Sequence, residues 1–166
     1  MDFSRNDFDI GLVFADSLAG IISVVSGVRL DIMPAETETE TETETEECEA
    51  DLGGIAGVMN LGGTNKSGTL FLSADKSCLR TLCSLMTGVS ENEVTKDEIY
   101  DTLCEIVNML AGNAKLRLCG TDYMFSLSQP FVIDGSDMTI VTKKKSRVIS
   151  RVLSDGKIRF SLKIVY

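Results

Sequence analysis

Apolar residues recur at helical spacing from about Phe8 to Val25. Ile10, Phe14, Leu18, Ile21 and Val25 fall on one stripe, and Gly27 supplies a stop. From Val28 to Met33 the period drops to two, with Val, Leu and Ile alternating against Arg and Asp, which predicts a short strand. Two further apolar runs, Leu52 to Asn60 and Ser67 to Leu72, are separated by Gly62, Gly63 and Asn65 and predict a hairpin. Ser73 then stands as the cap of a second helix, whose inner face carries Leu79, Leu82, Cys83 and Met86 and which stops at Gly88. Thr95-Lys-Asp-Glu98 is a capping box that opens a third helix, running to about Leu118 ahead of Gly120. Tyr123 to Tyr166 is rich in strands, with turns at Asp134-Gly135 and Asp155-Gly156. Helix, strands, two helices, strands: this order predicts an α+β fold in which an antiparallel-rich sheet packs against long helices.

The stretch from Ala35 to Glu49 does not fit that scheme. Thr and Glu alternate strictly, so no apolar face exists to bury, and the reading is a solvated or loosely ordered excursion between strands. The domain expected is a single one over residues 1–166 with this acidic insertion at about 35–50. Residues 36 to 51 carry eight Glu and one Asp and no base, which is the whole formal charge of −9, so the remainder is formally neutral. No dominant basic face is left to meet phosphates, and a nucleic-acid partner is excluded. Lys143-Lys-Lys145 with Arg147 and Arg151 reads as a solvated turn between strands, the alternative being a patch that steers an acidic partner.

There is no His, which removes the Ser-His-Asp and Cys-His arrangements, imidazole bases and His-ligated metals together. The five Cys are odd in number and form no C-x-x-C; three lie in helical patterns, which predicts buried free thiols in a reducing cytosol. The apolar stretch Phe8 to Val28 is interrupted by Asp9 and Asp16. Its uninterrupted part after Asp16 is too short for the ~30 Å of a bilayer's hydrocarbon, and the residues preceding the stretch have no net positive charge, so the expectation is a buried helix in a cytoplasmic protein without a membrane partner.

On the third helix the pattern separates two arcs. Ile99, Leu103, Ile106, Val107, Leu110 and Ala114 share the inner one; Glu98, Asp101, Glu105, Asn108, Gly112 and Lys115 share the outer one. Glu105 and Asn108 are neighbours three residues apart, about 5–6 Å at Cβ. A polar arc is what any solvated amphipathic helix shows. Asn and Gly in mid-helix are less usual, because both are poor helix formers and an undemanding surface favours Lys, Gln or Ala. Gly112 leaves that face shallow enough for another molecule to approach the backbone.

The run Glu105-Ile-Val-Asn108-Met-Leu-Ala-Gly112-Asn-Ala-Lys115 resembles the E-x-x-N-M-x-x-G-x-x-K signature of the CheC/CheX/FliY phosphatases. Ile55-Ala-Gly57 followed by Gly68-Thr-Leu-Phe-Leu-Ser73 resembles that family's central hairpin. Leu85-Met86-Thr-Gly88 resembles the end of its second helix, and Ser128-Gln-Pro130-Phe-Val-Ile-Asp-Gly135 its S-x-P-x-x-x-x-G turn.

The resemblance implies a hydrolase acting on the aspartyl phosphate of a CheY-like response regulator in chemotaxis or related two-component signalling. Asn108 would orient the attacking water, and Glu105 would dock on the lysine of the partner's phosphorylation pocket. Asp101, Gly112 and Lys115 would flank the pair as the partner-binding edge, with Asp101 and Lys115 serving solubility and helix pairing and not catalysis. This chain would bind no cofactor, Mg²⁺ being supplied in the partner. On the first helix Asp16-Ser-Leu-Ala19 lacks the Asn of a second pair, and the length leaves no room for the added domain of FliY-type members. Both point to the single-site CheX type, which works as a homodimer. The alternative is a non-catalytic module of the same fold that sequesters a response regulator or joins a flagellar switch or signalling assembly.

Overall fold

A computed structural model describes residues 9–34, 39–40, 54–63, 67–136, 138–141 and 146–166. The elements in chain order are α1 (Ile10–Ser26), β1 (Asp31–Ile32), β2 (Thr39–Glu40), β3 (Ile55–Gly63), β4 (Gly68–Ala74), α2 (Lys76–Thr87), α3 (Lys96–Arg117), β5 (Phe125–Leu127), β6 (Phe131–Asp134), β7 (Arg147–Ser154) and β8 (Arg159–Val165). The eight strands form one antiparallel sheet in the order β1-β7-β8-β4-β3-β5, with β2 also on β7 and β6 also on β3. The predicted α+β architecture is the one observed.

Successive side chains of a strand point to opposite faces, so register decides what each face presents. Gly57, Leu72, Leu162 and Arg151 form one row across β3, β4, β8 and β7. That row faces the helices: α3 lies on β3, α1 lies on β7, and α2 packs against both helices. Leu18, Ile22, Ile55, Met59, Leu70, Leu103, Ile106, Leu110 and Phe160 fill the space between the layers and are fully buried. Burying each large aliphatic side chain stabilises the fold by roughly 1.5–3 kcal/mol. Ala56 and Val58 alternate to the far face, where Phe71, Met138 and Ile140 cover them.

The helix ends follow the sequence closely. Asp9 caps α1 by accepting from the Leu12 amide at 2.9 Å, and Gly27 and Gly88 close α1 and α2 in left-handed conformation (φ 74° and 75°). No helix among the described residues is long and apolar enough to cross a membrane.

Five expectations are corrected. Ser73 is not a cap: it is the sixth residue of β4, buried, with its hydroxyl directed to the Ser161 carbonyl, and Asp75 stands at the cap position of α2. The strand from Val28 to Met33 shortens to Asp31–Ile32, which pair with Ser154 and Leu153 of β7; the Met33 amide adds one more bond, to the Val152 carbonyl at 2.8 Å, before Pro34. Gly62 and Gly63 are not turn residues but extend β3 beside Ser126 and Phe125 of β5. Arg151 is buried under α1 and takes no part in a solvated turn. Of the three cysteines in helical patterns, Cys78 and Cys83 are buried as expected, but Cys104 is only half-buried.

Thr39 and Glu40 pair with Val148 and Arg147 of β7. The rest of the Thr-Glu stretch, the run Lys143-Lys-Lys145 and Cys48 lie outside the described residues.

Candidate functional site

α3 starts where the sequence places it. Thr95 Oγ1 accepts from the Glu98 amide at 3.3 Å, and Glu98 Oε2 accepts from the Thr95 amide at 2.7 Å, a complete capping box. Donation to the carboxylate from the Thr95 amide and from the Thr95 hydroxyl, each at 2.7 Å, holds the Glu98 carboxyl below its ordinary pKa. These bonds also turn Glu98 back toward the helix start, so it leaves the outward ridge it was expected to join. Asp97 and Glu98 in the first turn and Lys115 and Arg117 in the last complement the helix dipole.

Both ends of α3 are tied down. At the N-terminal end the Tyr100 hydroxyl donates to the Asp134 carboxylate, and Lys76 and Lys96 approach the same group at 2.5 and 3.2 Å. These contacts, led by Lys76, hold the Asp134 carboxyl far below the usual carboxylate range. At the C-terminal end Arg117 donates to the Val13 carbonyl at 3.0 Å, to Ser17 Oγ at 3.2 Å and to Asp16 at 3.3 Å, while Ser17 Oγ donates to Asn113 Oδ1 at 2.9 Å. Arg117 meeting Val13 while Asn113 meets Ser17 sets the two helices antiparallel.

Between these ties the inner arc predicted from periodicity is buried throughout: Ile99, Leu103, Ile106, Val107, Leu110 and Ala114. On the outer side Asp101, Glu105, Asn108 and Lys115 are exposed, and Gly112 is half-buried with nothing within 4 Å of where a Cβ would stand. The fold therefore brings Glu105 and Asn108 onto one outward ridge, with Asp101 before them and Gly112 and Lys115 after. Among the described residues neither Glu105 nor Asn108 has a side-chain hydrogen bond or ion pair, so a carboxylate and a carboxamide stand available to an incoming molecule.

The one thiol at the ridge, Cys104, has its pKa raised by burial and by Asp101, so it stays protonated and is a poor nucleophile. What the ridge offers is an anionic acceptor and, one turn on, a neutral group that both donates and accepts. Sequence reasoning missed the partners that fix this helix. Asp134 is 34 residues from Tyr100 and Asp16 is 101 from Arg117, and no local pattern links residues so far apart.

A family model described as chemotaxis phosphatase CheX matches residues 55–152, a span that includes all of α3. Among solved structures, a CheC-like superfamily protein from Shewanella sp. PV-4 superposes with TM-score 0.78 at 20% identity, over 96% of this chain and 97% of that one. Chemotaxis protein CheX from Vibrio vulnificus gives TM-score 0.76 at 20% identity, over 97% and 98%. A CheX–CheY–BeF3–Mg²⁺ complex from Borrelia burgdorferi gives TM-score 0.69 at 18% identity, over 95% and 97%. At these identities the likeness is one of fold. Among curated proteins none is similar enough in sequence to count as a match.

Proposed function

The chain belongs to the family of the chemotaxis phosphatase CheX, and we propose that it dephosphorylates the aspartyl phosphate of a CheY-like response regulator with Glu105 and Asn108 as its working pair. The observation that carries this reading is the shared exposure of those two side chains on the outer ridge of α3, a helix inside the span matched to the family. The complex of a Borrelia burgdorferi protein of this fold with CheY supports the choice of partner.

The chemistry asks little of the catalyst. An acyl phosphate is already activated, so hydrolysis needs a water held in line with phosphorus and no protein nucleophile. Asn108 is suited to hold that water, since its carbonyl accepts from it, its NH₂ donates, and as a neutral group it does not repel the phosphoryl oxygens. An Asp there would. Glu105 pairs with the lysine of the partner's pocket and sets the depth of approach, while Asp101, Gly112 and Lys115 border the contact. The Mg²⁺ belongs to the partner's acidic pocket in this reading. The protein acts in the cytoplasm as a homodimer, which sedimentation of the purified chain would test.

The deciding experiment mixes the protein with a panel of phosphorylated response regulators and follows phosphate release. Turnover above the partner's own decay supports the proposal. Binding without turnover would leave a sequestering module in its place, and neither would remove both.

A further inference from the structure

Gly57 sits in the middle of β3, in register with Leu72 of β4 on one side and Val132 of β6 on the other. A glycine inside a paired strand weakens it, since it adds backbone entropy and buries no side chain. Left-handed backbone does not explain its presence, because Gly57 is not among the glycines with positive φ. The explanation lies above it. A Cβ on Gly57 would stand 2.7 Å from Val107 Cγ2 and 2.9 Å from Leu103 Cγ, well inside van der Waals contact. α3 rests directly on the strand backbone at this point.

Neither neighbour can yield cheaply. Val107 is β-branched and has one strongly preferred rotamer in a helix. Leu103 meets the site with its branch carbon, which moves only if the whole side chain moves. A methyl group inserted here therefore displaces the helix itself. Leu103 and Val107 are one turn apart, and Glu105 lies midway between them on the opposite side of the helix, with Asn108 one residue past Val107. The seat is thus beneath the working pair. Because α3 is tied at both ends, to Asp134 and to α1, an outward push at its middle cannot spread along the chain.

We infer that Gly57 is a positioning residue: it fixes the height of the Glu105–Asn108 ridge above the sheet, and hence the depth at which Asn108 enters a partner's recess. This inference rests on the reading of the ridge given above. A ridge that enters a recess works at one depth, and reactive geometry of this kind tolerates little error; a misplacement of about 1 Å can cost on the order of a hundredfold in rate.

The experiment compares wild type, Gly57→Ala, Val107→Ala and the Gly57→Ala/Val107→Ala double variant. Turnover is read at saturating phosphorylated response regulator, alongside the Tm and the Kd for the partner. The expected result is a fall of about ten- to a hundredfold in kcat for Gly57→Ala, measured well below its Tm. Val107→Ala alone lowers the Tm and keeps kcat, and the double variant, with Cγ2 removed and Leu103 given the vacated space to shift into, recovers part of the turnover. A role in stability alone would move the Tm and leave kcat of the folded protein unchanged. Should Gly57→Ala not fold, Val107→Ile adds one carbon to the same contact from the helix side and is expected to lower kcat in the same sense. Wild-type kcat in a folded Gly57→Ala or, failing that, in Val107→Ile overturns the inference while leaving the phosphatase reading standing. No recovery in the double variant overturns it as well. Absence of turnover in the wild type takes down that reading and this inference with it.

Discussion

Arg151 Nη2 donates to both carboxylate oxygens of Asp9, at 2.9 and 2.8 Å, and so ties the middle of β7 to the cap of α1. The arginine side chain is 6% exposed and the aspartate 40%. Removing a charged partner from a buried guanidinium weakens the compensation of its charge, which is costly. Asp9→Ala is expected to lower stability by about 2–4 kcal/mol, a figure that includes the lost helix cap and is discounted for the solvent around Asp9. Urea unfolding followed by far-UV circular dichroism checks it.

The same pair gives stability a pH dependence. Burial pushes the Asp9 carboxyl up, but the Leu12 amide, the Arg151 guanidinium and the Gly11 amide outweigh it, and the pKa lies below its ordinary 3.8. A group whose pKa is depressed by folding contributes stability that is fully present above the unfolded value and is lost as pH falls through the folded one. The stability gap between wild type and Asp9→Ala should stay constant from neutral pH down to about 5 and close progressively below 3.8. A gap that instead closed between pH 7 and 5 would rule out this carboxylate as its source.

Asn108→Ala is expected to reduce phosphate release from a phosphorylated response regulator by at least about a hundredfold, the usual cost of removing one well-placed polar group from a reacting centre. Binding of the phosphorylated partner should persist, and the circular dichroism spectrum should not change, since the side chain is exposed. An unaltered hydrolysis rate would end the proposed mechanism.

Glu105→Ala should act on association as well as rate. A charge pair desolvated at an interface typically costs about 2–5 kcal/mol when one partner is truncated. The Kd is therefore expected to rise by more than tenfold, which titration calorimetry with a phosphoryl-mimic complex of the partner would register. Glu105→Gln, which keeps shape and loses charge, should fall between.

Much of this molecule could be read from its residues in order. The inner arc of α3 emerged from spacing because the helix has one buried side, and the Thr95–Glu98 box and the stops at Gly27 and Gly88 are local chemistry that needs no tertiary information. The ridge was legible for the same reason: the residues left over from a buried arc must face outward. Other features depend on which strand meets which. Ser73 has the right hydroxyl for a cap, yet the pairing of β4 with β8 keeps it in the sheet and passes the cap position to Asp75. Gly62 and Gly63 look like turn residues until β5 arrives to pair with them. Arg151, on its sequence neighbours alone, belongs to a basic run; alternation along β7 turns it inward to Asp9. The role of Gly57 was hidden too, because its contact partners lie 46 and 50 residues further on, at Leu103 and Val107.

The strand latest in the sequence, β8, lies in the interior of the sheet, between β7 and β4. Until it is made, β3 and β4 can assemble with α3 above them and α1 packed on α3, but β7 and the short strands on it have no strand that links them to the rest of the sheet. On the ribosome the helix that bears the ridge therefore emerges long before the segment that joins β7 to β4 in register, and the nascent chain passes through a stage with an open β4 edge facing solvent. A truncation of only a few residues from β8 would leave that edge open and cut β7 off from the rest of the sheet, and not merely trim the molecule.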